Sequence, residues 1–344
     1  MCTETGVKHQ YKNGRLMRYH LQDFISDKYD PDEVYVQTSY KTRTIESARA
    51  QLEGLYGEKL SWPKDSKKFD LNTIPNEEDY ILHLTHSSCP RLDQIQKAMK
   101  ADSEAVFLQK QIDTDLENTL FPELRKLTGK TDADTEEMHN VCNYIMWMHT
   151  NGRKLKFDLS DEQFRQCEVS SNRKIFSKWN AHEELSTLPA FNLAQTLSDI
   201  ASVAAGKMKL LESKTFMHYY DMWSGHKKGK DPKFFLFSAH AETVGPLLRF
   251  YNMMDDFPLE PAPSSMLVFD FIEKEGEKFV RAKYVNFPKE YRIRDMPIQE
   301  FIDLSEHKLW EYVKKVGTTD MKQVCKMPFK GTTGITAESA KKFK

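Results

Sequence analysis

Charge of one sign is what this chain lacks first. Its 50 Lys and Arg stand against 51 Asp and Glu, so the formal charge is −1 and the pI is about 6.8. No global basic field is present to gather nucleic acid, and nucleic acid is not expected as a partner. Long apolar runs are missing too: none approaches the ~20 residues of a membrane span. The start, Met1 to Gly6, has no basic-then-apolar leader. There is no Asn-x-Ser/Thr acceptor site and no internal repeat. Cysteine is scarce, with Cys2, Cys89, Cys142, Cys167 and Cys325. None forms a Cys-x-x-Cys or a Cys/His metal spacing, so no metal and no cofactor are expected. An odd, sparse set reads by itself as reduced and cytosolic. What remains is ordinary: 344 residues, 39% hydrophobic and 29% charged, enough for one large or two modest domains of a soluble, enzyme-sized protein.

One stretch organises the rest. Phe234-Phe235-Leu236-Phe237 is a four-residue apolar run that fits a strand buried on both faces. Ser238-Ala239-His240-Ala241-Glu242-Thr243 follows, then Val244, Leu247, Leu248 and Tyr251 at helical spacing, with Pro246 early. The order is strand, tight turn, helix, with an imidazole and a carboxylate at the junction. In α/β proteins ligands collect there, and helix N-terminal amides favour anions. His240 can donate to an oxyanion, and Glu242 can hold and deliver a proton. The structural alternative is a buried His at a strand end and a carboxylate favoured by the helix dipole. A zinc-deaminase reading of His-x-Glu needs a downstream Pro-Cys-x-x-Cys, which does not follow.

Other segments repeat that logic. Residues 6–25 read as a helix weakened by Gly14, Val34-Tyr35-Val36 as a strand, and residues 45–56 as a helix stopped by Gly57. Arg43 in the intervening turn could clamp a phosphate, or could be an exposed Arg at a helix start. Residues 57–80 read as a surface loop and Tyr80–Leu84 as a strand. Helical periodicity then dominates residues 93–228, with Leu188-Pro189 as punctuation. His182, His218 and the Met and Trp residues there read as packing, and the basic loop 226–230 as a solvated turn beside the key strand. A hairpin is expected over 265–285, a last helix over 297–316, and a fraying tail from Lys326.

In this order the segments resemble the histidine acid phosphatase family, the two-domain branch of the histidine phosphatases. Val36 to Ala48, with Thr42-Arg43-Thr44 at its centre, is similar to the family's Arg-Ser-Thr-Asp-x-x-Arg-Thr-x-x-Ser-Ala block, with departures at Gln37, Ser39 and Tyr40. Cys89-Pro90-Arg91 is similar to the segment that begins the family's cap, and Phe237-Ser238-Ala239-His240 to the block that usually ends in His-Asp. Here Ala241 holds the usual Asp position and Glu242 follows, an arrangement resembling multiple inositol polyphosphate phosphatase.

The resemblance implies an α/β fold, a central mixed sheet flanked by helices (phosphoglycerate-mutase-like) with a helical cap insertion. Its implied parts are a discontinuous core of residues 1–90 and 231–325 with its first strand missing, a cap over 91–230 and a tail over 326–344. It implies a phosphomonoesterase acting through a phosphohistidine on a small phosphomonoester held between core and cap. By the same resemblance Arg43 and His240 bind phosphate, His240 and Glu242 are catalytic, and Cys89 pairs with Cys325. Cys142 and Cys167 stay unassigned. The family's Arg-His-Gly-x-Arg-x-Pro nucleophile motif does not occur in the chain, and His9 does not replace it. The expectation is a truncated enzyme, inactive as written, with a non-catalytic relative as the alternative. Secretion or a lysosomal location is implied if a leader precedes the chain.

Overall fold

The computed structural model describes residues 2–62, 68–84, 87–100, 103–180, 182–215, 231–253, 261–286 and 289–330, with side chains outside the description at 100, 103–109, 172–180, 286 and 289–293. His218, the basic loop 226–230 and most of the tail fall outside the described residues.

The chain divides into two compact units, and the fold is α/β. The first comprises Met1–Pro90, Thr187–Phe257 and Pro261–Met327. Its helix α1 (Glu4–Leu21) is capped by the Thr3 side chain, which accepts from Gly6 N, with Glu4 in the first turn and Arg18 and His20 in the last. Strand β1 (Val34–Thr38) follows, then helix α2 (Thr42–Leu55). Gly57, at φ +66°, ends α2. Gly14 is no weak point. A Cβ there would lie 1.9 Å from the Gln51 carbonyl oxygen, and one at Gly54 would lie 2.0 Å from the Tyr11 carbonyl oxygen. Two glycines let α1 and α2 cross backbone to backbone.

Strand β1 lies at the centre of a three-stranded parallel sheet ordered β2-β1-β3, with β2 (Asn72–Thr73) on one side and β3 (Phe234–Ser238) on the other. Residues alternate across it. Val34 and Val36 face Ala48, Leu52 and Leu55 of α2 and Met17 of α1, while Tyr35 packs with Ile200, Leu210, Phe235 and Phe237. The strand expected to be buried on both faces is β3, yet all five of its residues are only partly buried, whereas all five of β1 are buried. Among the described residues β3 pairs with a strand on one edge alone.

Residues 57–80, read as surface loop, include β2 and the buried Phe69, Ile74 and Asp79. Tyr80–Leu84, read as strand, is a series of bends. An antiparallel sheet follows, of β4 (Met266–Lys274), β5 (Glu277–Asn286) and β6 (Lys289–Pro297). The expected hairpin turns at Glu275-Gly276, both at positive φ, and β6 is a third strand that the periodicity did not reveal.

Arg91–Ser186 makes most of the second unit. It contains α3 (Pro90–Lys100), α4 (Ser103–Thr119), α5 (Phe121–Thr128), α6 (Thr135–Thr150) and α7 (Asp161–Asn180), and α4 to α7 pack on Leu116, Phe121, Leu124, Met138 and Ile145. Helical character runs on through α8 (Glu184–Ala204), which carries Pro189 inside it. The Arg91–Ser186 stretch of the second unit stops within α8, whereas the resemblance implies a cap over 91–230. From Thr187 onward α8 packs with the first unit: Tyr251 Oη donates to Ala194 O at 3.4 Å, and the Phe191 and Tyr312 rings meet at 5.8 Å. Helices α9 (Ala241–Phe250), α10 (Ile298–Val316) and α11 (Met321–Lys326) complete the first unit. Cys89 and Cys325 form a disulfide across 236 residues of sequence, which overturns the fully reduced reading of the cysteines. No helix among the described residues is long and apolar enough to cross a membrane.

Candidate functional site

Parallel pairing sets the site. Strands β1 and β3 run in register, Thr38 opposite Ser238, so their carboxyl ends stop together. Ser39 N donates to Ser238 O at 3.2 Å, and Ser238 Oγ donates to the Thr44 carbonyl at 2.8 Å. Each strand then turns into a helix. Arg43 lies in the first turn of α2 and His240 is the N-cap residue of α9. Although 197 residues apart in sequence, Arg43 Nη2 lies 2.9 Å from His240 Nδ1.

That contact fixes a proton. A guanidinium can only donate, so Nδ1 must be the accepting nitrogen and the ring proton sits on Nε2. His240 Nε2 then donates to Ser39 Oγ at 2.8 Å. The Ser39 hydroxyl passes its own proton toward Thr44 Oγ1 at 2.9 Å, which donates to the Lys41 carbonyl at 2.7 Å. Each donor along this line meets an acceptor. His240 is buried, and burial followed by the neighbouring His83, Arg43 and Lys41 lowers its pKa to about 3. The imidazole is neutral at physiological pH, a donor and acceptor of fixed orientation.

A third segment closes the other side of the ring. The His83 and His240 centroids are 4.1 Å apart. His83 Nδ1 lies 3.2 Å from Asn76 Oδ1, and Thr243 Oγ1, which accepts from His240 N at 3.3 Å, donates to the Leu82 carbonyl. Asp79 holds this bend from within: its Oδ1 accepts from Leu82 N at 2.8 Å and Ile81 N at 3.3 Å. Its Oδ2 is buried with no partner among the described residues. Burial, only partly offset by these backbone bonds, raises the Asp79 pKa to about 6.

Arg43 itself is exposed and makes no ion pair with a carboxylate among the described residues. Beyond Nη2 it has further N–H donors to offer an anion. Glu242 lies exposed in the first turn of α9 and bonds to neither Arg43 nor His240 among the described residues. The structure thus joins two of the three expected site residues. Sequence reading missed three others. Ser39 stood as a departure from the family block, yet it receives the His240 proton. His83 and Asp79 sit in the segment misread as loop and strand. No periodicity marks them, because only the fold brings position 83 to position 240.

The sequence pattern of the histidine phosphatase superfamily (branch 2) matches residues 2–285. The chain belongs to that superfamily. Among relatives of the chain, lysosomal acid phosphatase of Homo sapiens is 22% identical over 289 residues, covering 80% of this chain and 60% of the relative. Prostatic acid phosphatase of Bos taurus is 26% identical over 293 residues, covering 83% and 68%. The chain therefore spans about 60% of the length of the lysosomal relative. A solved structure of Hafnia alvei phytase in complex with myo-inositol hexakis sulphate shares the fold, with a TM-score of 0.57 at 14% identity, covering 89% of this chain and 87% of that one.

Proposed function

We propose that this chain forms the phosphate-binding part of a phosphomonoesterase of the histidine acid phosphatase type. One observation carries the reading: an exposed arginine, free of any carboxylate among the described residues, is held 2.9 Å from a buried, neutral histidine where two parallel strands end. A transferring phosphoryl group spreads charge over its equatorial oxygens, and groups that already point at that charge lower the barrier. Arg43 supplies the cation. Through Nδ1 His240 holds that guanidinium in place, and its protonation state does not change across the working pH range. Glu242, exposed one helical position past Ala241, is the proposed proton donor to the leaving oxygen. The acid phosphatase relatives favour phosphomonoesters as the substrate class. Their lysosomal and prostatic names, with the Cys89–Cys325 disulfide, favour a secreted or lysosomal setting.

The resemblance assigns the nucleophile to the histidine of Arg-His-Gly, and this tripeptide does not occur among the 344 residues. The proposed behaviour of the chain is accordingly to bind phosphate without turning over. Titration with inorganic phosphate at pH 5 by calorimetry should show binding that Arg43→Ala weakens by about 100-fold. Absence of binding in the folded wild type would refute the site. Hydrolysis of p-nitrophenyl phosphate by the wild type, lost in His240→Ala, would refute the binding-only form and place a nucleophile elsewhere in the chain. His-Ala-Glu and the phytase neighbour favour an inositol polyphosphate as the preferred ligand. Competition between inositol hexakisphosphate and inorganic phosphate tests this, and equal affinities would count against it.

A further inference from the structure

The second unit contains a pair of thiols that neither the site nor the disulfide uses. Cys142 on α6 and Cys167 on α7 are both fully buried among Leu116, Phe121, Met138 and Ile145. Their sulfurs are 2.9 Å apart. That is less than 1 Å beyond a covalent S–S bond of ~2.05 Å. The α6–α7 packing has already brought the two side chains together, so bond formation asks for a small sulfur displacement and no rearrangement of helices.

Polar groups also border the pair. Ser170 lies within hydrogen-bonding reach of Cys142, and its Oγ is 2.6 Å from His139 Nδ1. His139 Nε2 is 3.0 Å from Asp113 Oδ1, whose side chain is 24% exposed. A line of hydrogen-bonding groups therefore leads from the buried thiol to a surface carboxylate. The Cys167 and Ser170 contacts hold Cys142 below the usual thiol range, whereas Cys167, beside it and buried, is pushed up.

We propose that Cys142 and Cys167 close into a second disulfide, pinning α6 to α7. The oxidant is a small or protein-borne disulfide, represented by glutathione disulfide. The Cys142 thiolate attacks one glutathione sulfur and the first glutathione thiolate leaves. The Cys167 thiolate then displaces the second glutathione, forming the Sγ–Sγ bond. Two thiol protons end on the two glutathiones, so two thiols are oxidised as one disulfide is reduced. Because both sulfurs are fully buried in the closed unit, the exchange belongs to folding, before α6 and α7 shut.

The test refolds the full chain in glutathione and glutathione disulfide until the Cys89–Cys325 peptide is bridged. It then alkylates the denatured protein with iodoacetamide, without reductant, for intact mass and peptide mapping. Of the five cysteines, only Cys2 should take the label, and a cross-linked Cys142–Cys167 peptide should appear. Cys142→Ala and Cys167→Ala should each raise the count from one label to two. Both sites labelled in a sample where Cys89 and Cys325 are bridged would overturn the proposal. So would a map pairing either one with Cys2. The readout is independent of phosphate binding, so the proposed function can fail without affecting it.

Discussion

The β1–α2 and β3–α9 units follow the same order of strand, turn and helix, yet they deliver opposite kinds of group. Strand β1 is bonded on both edges and fully buried, and α2 is clamped to α1 through two glycines. From that rigid base Arg43 projects into solvent. Strand β3 is only half-buried, yet the residue at its end is sealed. His240 is wedged between Arg43, Ser39 and His83. The anchored unit carries the exposed cation and the looser unit carries the buried neutral ring. That pairing fits the proposed phosphate site, where a charge must reach out while the ring that holds it must not change state.

Six substitutions break or sharpen this contrast. The largest effect should come from Gly14→Ala, which forces a methyl into the Gln51 carbonyl and pries α1 from α2. A loss of about 3 kcal/mol or more is expected in denaturant unfolding, and a loss below 1 kcal/mol would show that β1–α2 does not depend on that crossing. Arg43→Ala should lower phosphate affinity by about 100-fold, roughly 2.7 kcal/mol, while barely changing stability because the side chain is exposed. Arg43→Lys should not restore the affinity, since an ammonium cannot serve the imidazole and the anion in one plane. Rescue by Lys would reduce Arg43 to a point charge.

Next come two titrations of opposite sign. His240 falls from 6.5 unfolded to about 3 folded, so the unfolded chain binds the extra proton between these values. Its contribution to stability drops as pH falls below 6.5, by at most about 1.4 kcal/mol per pH unit. Asp79 rises from 3.8 to about 6, so the folded chain holds the extra proton there. Its contribution is complete below 3.8 and is lost as pH rises through 6. Between about 4 and 6 the two slopes oppose each other. Relative to wild type, Asp79→Asn should gain stability as pH rises across that window, by up to about 3 kcal/mol, and His240→Asn should gain as pH falls. Parallel pH–stability curves for wild type and both variants would sink this reading. The smallest effect is Ser39→Ala, which leaves the His240 Nε2–H without its acceptor at a cost of about 1–2 kcal/mol. An NMR shift of the His240 ring nitrogens should accompany it.

Legibility differed between the two units as well. The apolar run before His240 and the spacing after it mark strand and helix without outside help, because burial imposes period 2 or 3.6 on the residue types. Arg43 and His240 were nameable for the same reason: each sits at a junction where the pattern changes. Gly14 was misjudged, since its value lies in the Gln51 carbonyl of another helix, which no local window contains. Ser39 was counted as a departure because its partner is 201 residues away. Asp79 and His83 lie in a bend whose shape comes from side-chain-to-backbone bonds and has no periodic signature.

The sequence by itself determined the α/β class and the two junctions, because these rest on local residue order, and resemblance of its motifs added the superfamily and the Cys89–Cys325 pair. Tertiary structure alone decided that the Arg43 guanidinium fixes the tautomer of His240, that His83 caps the ring, that α8 packs with the first unit from Thr187 onward, and that Cys142 faces Cys167. Those facts depend on contacts between residues far apart in the chain, and such distances are set by how strands pair and helices cross.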